Sequence, residues 1–309
     1  MARTRFYIPD EVRQDIRERL TRRVDKTTEE FDSFDEDEDV ATGHLGANLT
    51  TTGRQVSVPE GDPPGIWSWS LRYHKFRGRG PRATEKILGA DGVFELIVDR
   101  GGWKSEKSML FQSKMEGSSG ARELVEQCAK LSTWREASAV FSYGEAGFTG
   151  MAIDEVLAAK GNLAVAKGAP LGEFLSDVFV ECFIGDADLK YHSREKTLSW
   201  IDQMGERIST RFKVRHKFTL SVKHPAAVST ALMGSHEISA DEIAQHRMKV
   251  SELDVLGVAF NASAQERRKE KKRLAKIYHP DSWSDFSESI KKTMEERAKE
   301  ILSVKIARD

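Results

Sequence analysis

Residues 84–115 read TEKILGADGVFELIVDRGGWKSEKSMLFQSKM, and the fold turns on them. DGVFELIV, which begins at Asp91, is rich in β-branched and aromatic residues and predicts a strand; SMLFQSK, residues 108–114, predicts a second. DRGGWKSEK between them carries Gly101 and Gly102, the punctuation of a turn, so the two strands are expected to pair as a hairpin. Side chains two apart on a strand share a face. Gln112 and Lys114 therefore project to one side, and Met109, Phe111 and Ser113 to the other. A lysine drawn into a sheet needs an anion to offset its loss of water. The hairpin brings Asp91, at the far end of the partner strand, beside Gln112 and Lys114. A carboxylate, an amide oxygen and a backbone carbonyl suit a hard cation such as Mg²⁺, and the lysine would then polarise an attacking water or a scissile phosphate. The plainer reading of the same residues is a salt bridge between Asp91 and Lys114 at a hairpin end.

Outward from the hairpin, helical and strand patterns alternate. GARELVEQCAKLS predicts a helix, SAVFSY a strand, AIDEVLAAKG a helix, and LGEFLSDVFVECFIG an apolar helix. That order argues for an α/β fold with a mixed central sheet. SREKTLSWIDQMGERIS is expected to be helical, and FKVRHKFTLSV a further strand or the start of a linker. Upstream, WSWSLRYHKF alternates like a strand, and acidic residues leading into Thr42, Leu45 and Leu49 suit a helix N-terminus. Residues 9–24 form a charged helical pattern with Val12, Ile16 and Leu20 as a narrow apolar stripe. Such a helix is expected to pack on the body or on a second copy, with a DNA-binding arm as the other reading. The expected division is a helical arm at 1–30, an α/β domain at 31–224, a linker at 225–240 and an all-helical unit at 241–309.

The 309 residues are 39% hydrophobic and 31% charged, which suits a globular chain with a polar surface. No apolar run approaches the roughly 20 residues of a membrane span, and the first residues lack the apolar centre of a signal peptide, so a cytoplasmic protein with no membrane partner is expected. Cys128 and Cys182 stand far apart, which argues against a disulfide framework and a thiolate zinc site. A formal charge of -1 means that any nucleic-acid partner must be read from local patches. The strongest patch is RYHKFRGRGPR, residues 72–82: Arg72, His74, Lys75, Arg77, Arg79 and Arg82 surround Tyr73 and Phe76, a composition fit for phosphate contacts and base stacking. KVRHKF, residues 213–218, is a weaker patch, in which Arg215 and Lys217 face away from Val214 and His216; His216 lacks a ligand partner at metal spacing and reads as structural.

The string built on Asp91, Gln112 and Lys114 resembles the core of PD-(D/E)xK, or restriction-endonuclease-like, nucleases, in a branch written E...GAD...QxK. The motif spans residues 84–115, with 21 residues from Asp91 to Gln112, and a looser match runs over 34–183. The resemblance implies that Asp91 and Gln112 are metal ligands and Lys114 is catalytic. It also implies an acidic residue from an upstream helix followed by T-G-x-L; DEDVATGHL offers Glu38, and Glu85 is the other acidic candidate. Glutamine at 112 departs from the usual acid and removes a negative charge from the cradle. The implied function is an Mg²⁺- or Mn²⁺-dependent endodeoxyribonuclease acting on DNA. Members of the branch often serve bacterial anti-phage systems, so other subunits of a defence complex are implied partners. The alternatives are a catalytically inactive nucleic-acid-binding subunit and a co-chaperone.

The co-chaperone reading comes from the C-terminal string ELDVLGVAFNASAQERRKEKKRLAKIYHPD, which resembles a J domain. Leu256, Gly257 and Val258 supply the Leu-Gly-Val element, Ala262 and Ser263 open the second helix, and His279, Pro280 and Asp281 form the HPD loop. Proline after histidine stops the helix. The resemblance implies that this loop and the cations Arg268, Lys272, Arg273 and Lys276 stimulate ATP hydrolysis by a DnaK-type chaperone. Arg267, Glu270, Lys271 and Lys299 depart from the family's usual apolar or aromatic residues. An isolated three-helix unit is weakened by such losses, so this one is expected to lean on the nuclease-like body.

Overall fold

The computed structural model describes residues 7–32, 37–60, 64–76, 88–100, 103–117, 120–201, 205–224, 255–256, 258 and 262–306. The expected hairpin is present and extends beyond its apolar centre. β3 (Gly92–Arg100) pairs antiparallel with β4 (Trp103–Met115), from Gly92 opposite Phe111 to Arg100 opposite Trp103. The expected turn at Gly101 and Gly102 lies outside the described residues. Around the hairpin stand β1 (Thr51–Val58), β2 (Gly65–Lys75), β5 (Ser138–Gly144), β6 (Gly147–Ala152), β7 (Ala169–Pro170) and β11 (His216–His224). The eight form one mixed sheet in the order β1-β2-β11-β3-β4-β5-β6-β7. β11 runs parallel to β3, and β4 runs parallel to β5; the other pairs are antiparallel.

Strand alternation divides the core between the two faces of this sheet. Phe94, Leu96 and Val98 of β3 join Met109 and Phe111 of β4 on one face, while Val93 and Leu110 point to the other. Three helices cover the first face: α1 (Asp10–Glu29), α2 (Glu38–Leu49), and α5, which begins as Leu171–Glu173 and widens into the π-helical stretch Phe174–Val180. The stripe on α1 is Val12, Ile16, Leu20 and Val24, all buried. Each such side chain contributes about 1.5–3 kcal/mol of transfer free energy. Of the roles expected for this helix, packing on the body is observed.

The second face carries α3 (Ala121–Leu131), which crosses from β4 to β5, and α4 (Ile153–Ala158). It also carries a separate three-stranded sheet of β8 (Lys190–His192), β9 (Thr197–Ile201) and β10 (Arg207–Arg211). This sheet corrects the expectation of a helix over SREKTLSWIDQMGERIS. TLSWI pairs strand to strand with RISTR, Leu198 is buried, and Lys196 at φ +53° turns the chain between β8 and β9. β1 and β6 had no counterpart in the sequence reading.

The C-terminal hairpin completes the second face. α6 (Ala264–Ile277) starts with a capping box in which Ser263 and Glu266 cap each other's backbone amides. Pro280–Trp283 make a 3-10 turn, and α7 (Glu288–Ser303) returns. Leu274, Tyr278, Trp283, Met294 and Ile301 are buried in the same cluster as Leu124 and Leu131 of α3 and Val156 and Leu157 of α4. The Tyr278 hydroxyl donates to Asp154 Oδ1 at 2.5 Å, and Arg135 Nε donates to Asp154 Oδ2 at 2.8 Å. Lys160 Nζ sits 3.9 Å from the centre of the Trp283 ring. The departures noted in the sequence have partners of their own. Lys271 donates to the carbonyls of Leu302 and Val304, at the C-terminal end of α7, and Lys299 is exposed and paired with Glu295. Residues 225–254, which hold the expected linker, and Gly257 lie outside the described residues; Leu256 is buried in the shared cluster. Among the described residues no helix is long and apolar enough to cross a membrane.

Candidate functional site

One end of the large sheet gathers the polar residues. Here β2 ends at Lys75, β11 begins at His216, β3 begins after Asp91, and β4 ends with Gln112, Ser113 and Lys114. The N-terminus of α2 contributes Glu38 and Asp39. Asp37 caps that helix by accepting from Val40 N at 2.8 Å, and the first-turn acids suit its dipole.

Asp91 is held through its backbone and one carboxylate oxygen. Its amide donates to Phe111 O at 2.9 Å, and its carbonyl accepts from Arg215 N at 2.9 Å and His216 N at 3.2 Å. Its carboxylate Oδ2 accepts from Ser113 N at 3.0 Å and Ser113 Oγ at 2.8 Å, while Oδ1 lies 3.6 Å from Arg215 Nη1. The preceding Gly89 has φ +73°, and a Cβ there would overlap the Gln127 backbone of α3, so the glycine of GAD is required by both conformation and space.

Gln112 is fully buried and follows Phe111, which pairs with Gly92 and accepts from the Asp91 amide. Its Nε2 donates to Ser113 O at 3.1 Å, which fixes the amide's orientation, and its Oε1 makes no hydrogen bond within the protein. Lys114 is also buried, and its Nζ lies 3.5 Å from Glu38 Oε1. The structure therefore brings Asp91, Gln112, Lys114 and Glu38 to one end of the sheet. The ion pairs seen there are Lys114 with Glu38 and Arg215 with Asp91. Glu85 lies outside the described residues.

A second set of contacts adjoins the first. Asp39 Oδ2 lies 2.7 Å from Lys75 Nζ, and Asp39 Oδ1 lies 3.0 Å from His216 Nε2. The Tyr73 hydroxyl meets His216 Nδ1 at 2.8 Å. Burial pushes the His216 imidazole down to about 4, against the pull of Asp39, so the ring is neutral near pH 7. Nδ1 is thus hydrogen-bonded to Tyr73, while Nε2 faces Asp39 without the alignment of a hydrogen bond. Burial works to raise the Asp39 carboxyl, but Lys75, His216 and Arg215 outweigh it and hold it below its ordinary value.

Of the expected nucleic-acid contacts, Arg72, His74 and Lys75 are exposed along β2, with Lys75 tied to Asp39; Arg77, Arg79 and Arg82 lie outside the described residues. Tyr73 is committed to His216 and Phe218 rather than to solvent. Ser113, Asp39, Arg215 and His216 are the site residues that the sequence reading missed. Two of them adjoin a predicted residue directly, and the other two stood in the weaker basic patch.

The oxygen donors here are of the kind that Mg²⁺ and Mn²⁺ take, and the orphaned Gln112 Oε1 fits such an ion. The set is poor in acid: among the described residues no three His, Cys, Asp or Glu side chains stand together as a metal-binding group. Compared with known proteins, the chain matches no family model, no curated protein and no solved structure.

Proposed function

We propose that the chain is a metal-dependent endodeoxyribonuclease of the PD-(D/E)xK, restriction-endonuclease-like class, hydrolysing DNA phosphodiester bonds with Mg²⁺ or Mn²⁺. The observation that carries this reading is Gln112 Oε1, a buried acceptor without a hydrogen-bond partner in the protein, next to Ser113, which bonds Asp91, and two residues before Lys114. An unsatisfied buried acceptor costs about 1–3 kcal/mol, which coordination to a hard cation offsets. Asp91, Gln112 and Glu38 would hold the ion, with Glu85 as a further acidic candidate. When bound, it supplies Lewis-acid polarisation of a phosphoryl oxygen and a more acidic water.

The chain's own residues supply positioning and charge. Asp91, Glu38 and Asp39 are matched in the resting site by Arg215, Lys114 and Lys75. Were Asp91 and Glu38 to hold a cation, Arg215 and Lys114 would be left to face the phosphodiester. Lys114 Nζ would then donate to the attacking water or to a phosphoryl oxygen, and Arg215 would bind a non-bridging oxygen. Arg72, His74 and Lys75 extend the basic surface toward the rest of the DNA backbone. A place in an anti-phage defence complex follows from the family resemblance. Cleavage of supercoiled plasmid with and without Mg²⁺ tests the reading. Lys114→Ala is expected to lose about 100-fold or more of the metal-dependent rate while keeping the wild-type Tm; full activity in that variant refutes the assignment.

A second reading is favoured by the exposure of His279 and Asp281 beside the exposed cations Arg268, Lys272 and Lys276. It makes the C-terminal hairpin a J-like surface for a DnaK-type chaperone. His279→Gln is expected to remove stimulation of that chaperone's ATPase and to spare DNA cleavage. Metal-independent DNA binding with no cleavage by the wild type points instead to the inactive subunit, in which Arg215 permanently neutralises Asp91.

A further inference from the structure

We propose that Tyr73, His216 and Asp39 form a positioning relay that fixes the first turn of α2, and with it Glu38, against Lys114. The proposal rests on the metal-site reading above and assigns a role to three residues outside the D...QxK motif. Two pairs of chain neighbours interlock. Glu38 faces Lys114 while Asp39 faces His216; Arg215 faces Asp91 while His216 faces Asp39. One relay thus ties the helix that carries Glu38 to the strand end that holds Asp91.

The apolar residues of α2 cannot do this alone. Ala41, Leu45 and Leu49 set the depth of the helix on the sheet, but dispersion contacts hold rotation about its axis weakly. Polar contacts hold it more firmly. Asp39 faces His216 at the first turn, and Thr42, three residues on and on the same side, hydrogen-bonds the Tyr143 hydroxyl at 2.9 Å. The relay is a run of close polar contacts: the Tyr73 hydroxyl on Nδ1, Nε2 3.0 Å from Asp39 Oδ1, and Lys75 on the second carboxylate oxygen. Its base is packed closely. A Cβ on Gly46 of α2 would overlap the Tyr73 ring, so the helix approaches the sheet here as only glycine allows. Burying a histidine against a half-buried carboxylate is expensive where apolar packing would serve, which argues for a use beyond adhesion.

Manganese titration calorimetry on the full chain, paired with steady-state cleavage of a duplex oligonucleotide, tests the relay. Tyr73→Phe removes one hydroxyl and keeps the ring; Asp39→Asn keeps shape and removes charge; Asp91→Asn is the control for the site. The relay predicts a manganese Kd raised about 5–10-fold in Tyr73→Phe and Asp39→Asn, with kcat down about tenfold and KM for DNA unchanged. It also predicts partial recovery of manganese affinity in His216→Gln relative to His216→Ala, because glutamine can span the same two partners. Wild-type manganese affinity and kcat in both Tyr73→Phe and Asp39→Asn, with Asp91→Asn binding none, overturns the relay and leaves the site standing. Manganese binding that Asp91→Asn does not alter overturns both.

Discussion

The two ends of this molecule that carry motif-like residues treat their polar groups in opposite ways. At the sheet end Asp91, Gln112 and Lys114 are 3%, 1% and 6% exposed. In the C-terminal hairpin the side chains of His279 and Asp281 are 58% and 91% exposed. Burying a carboxylate, an amide and an amine together works against folding, and the protein offsets it with Ser113, Arg215 and Glu38. Exposing a histidine and an aspartate costs nothing. The buried set therefore argues for chemistry within the chain, whereas the exposed set acquires meaning only from a partner. The hairpin's own investment lies on its other side, where Tyr278 and Trp283 are buried against the body.

That contrast can be broken by mutation. The largest stability change is expected for Asp154→Ala, which strands the buried Arg135 guanidinium and the Tyr278 hydroxyl beneath the hairpin. Breaking a buried pair from one side costs about 3–5 kcal/mol, to be read from urea unfolding. A loss below about 1 kcal/mol would mean that the hairpin is merely laid on the body. Next comes pH. The folded chain keeps His216 neutral down to about 4, while the unfolded chain takes a proton near 6.5. The unfolded state thus binds the extra proton between those values, so this group's contribution is intact above 6.5 and falls by about 3 kcal/mol as pH drops to 4. An NMR titration that places His216 at or above its ordinary value contradicts this. Gln112→Met tests the opposite sign. Removing the orphaned acceptor is expected to raise stability by about 1 kcal/mol while abolishing manganese binding. Stability lost in that variant would indicate that the amide is structural. Smallest of all, His279→Gln is expected to shift unfolding by less than about 1 kcal/mol, because the exposed ring gives up only its acceptance from Asp281 N at the start of the 3-10 turn.

Much of the architecture was legible in the sequence because long elements carry their period openly. The Val12, Ile16, Leu20 stripe announced α1, and the apolar runs flanking the double glycine announced β3 and β4. The three strands β8 to β10 were not legible. They are only three to five residues long, too short to display alternation, and their turn at Lys196 uses positive φ without a glycine. Of the candidate site, the convergence of Asp91, Gln112 and Lys114 was legible because they lie at one end of a single hairpin, whereas Glu38 was named only through the family resemblance. Arg215 and His216 were hidden because a parallel pairing of β11 with β3 places them beside residues far away in sequence. Nothing local in KVRHKF states that register. Ser113 was hidden by the alternation rule itself, which assigned it to the other face, whereas its backbone and hydroxyl both turn to Asp91.

Anomalous diffraction from manganese-soaked crystals tests the central claim most directly. The account predicts one ion within about 2.5 Å of Gln112 Oε1 and an Asp91 carboxylate oxygen, with Arg215 displaced from Asp91. Crystals that take up manganese elsewhere, or leave Gln112 and the Asp91–Arg215 pair unchanged at saturating metal, contradict it.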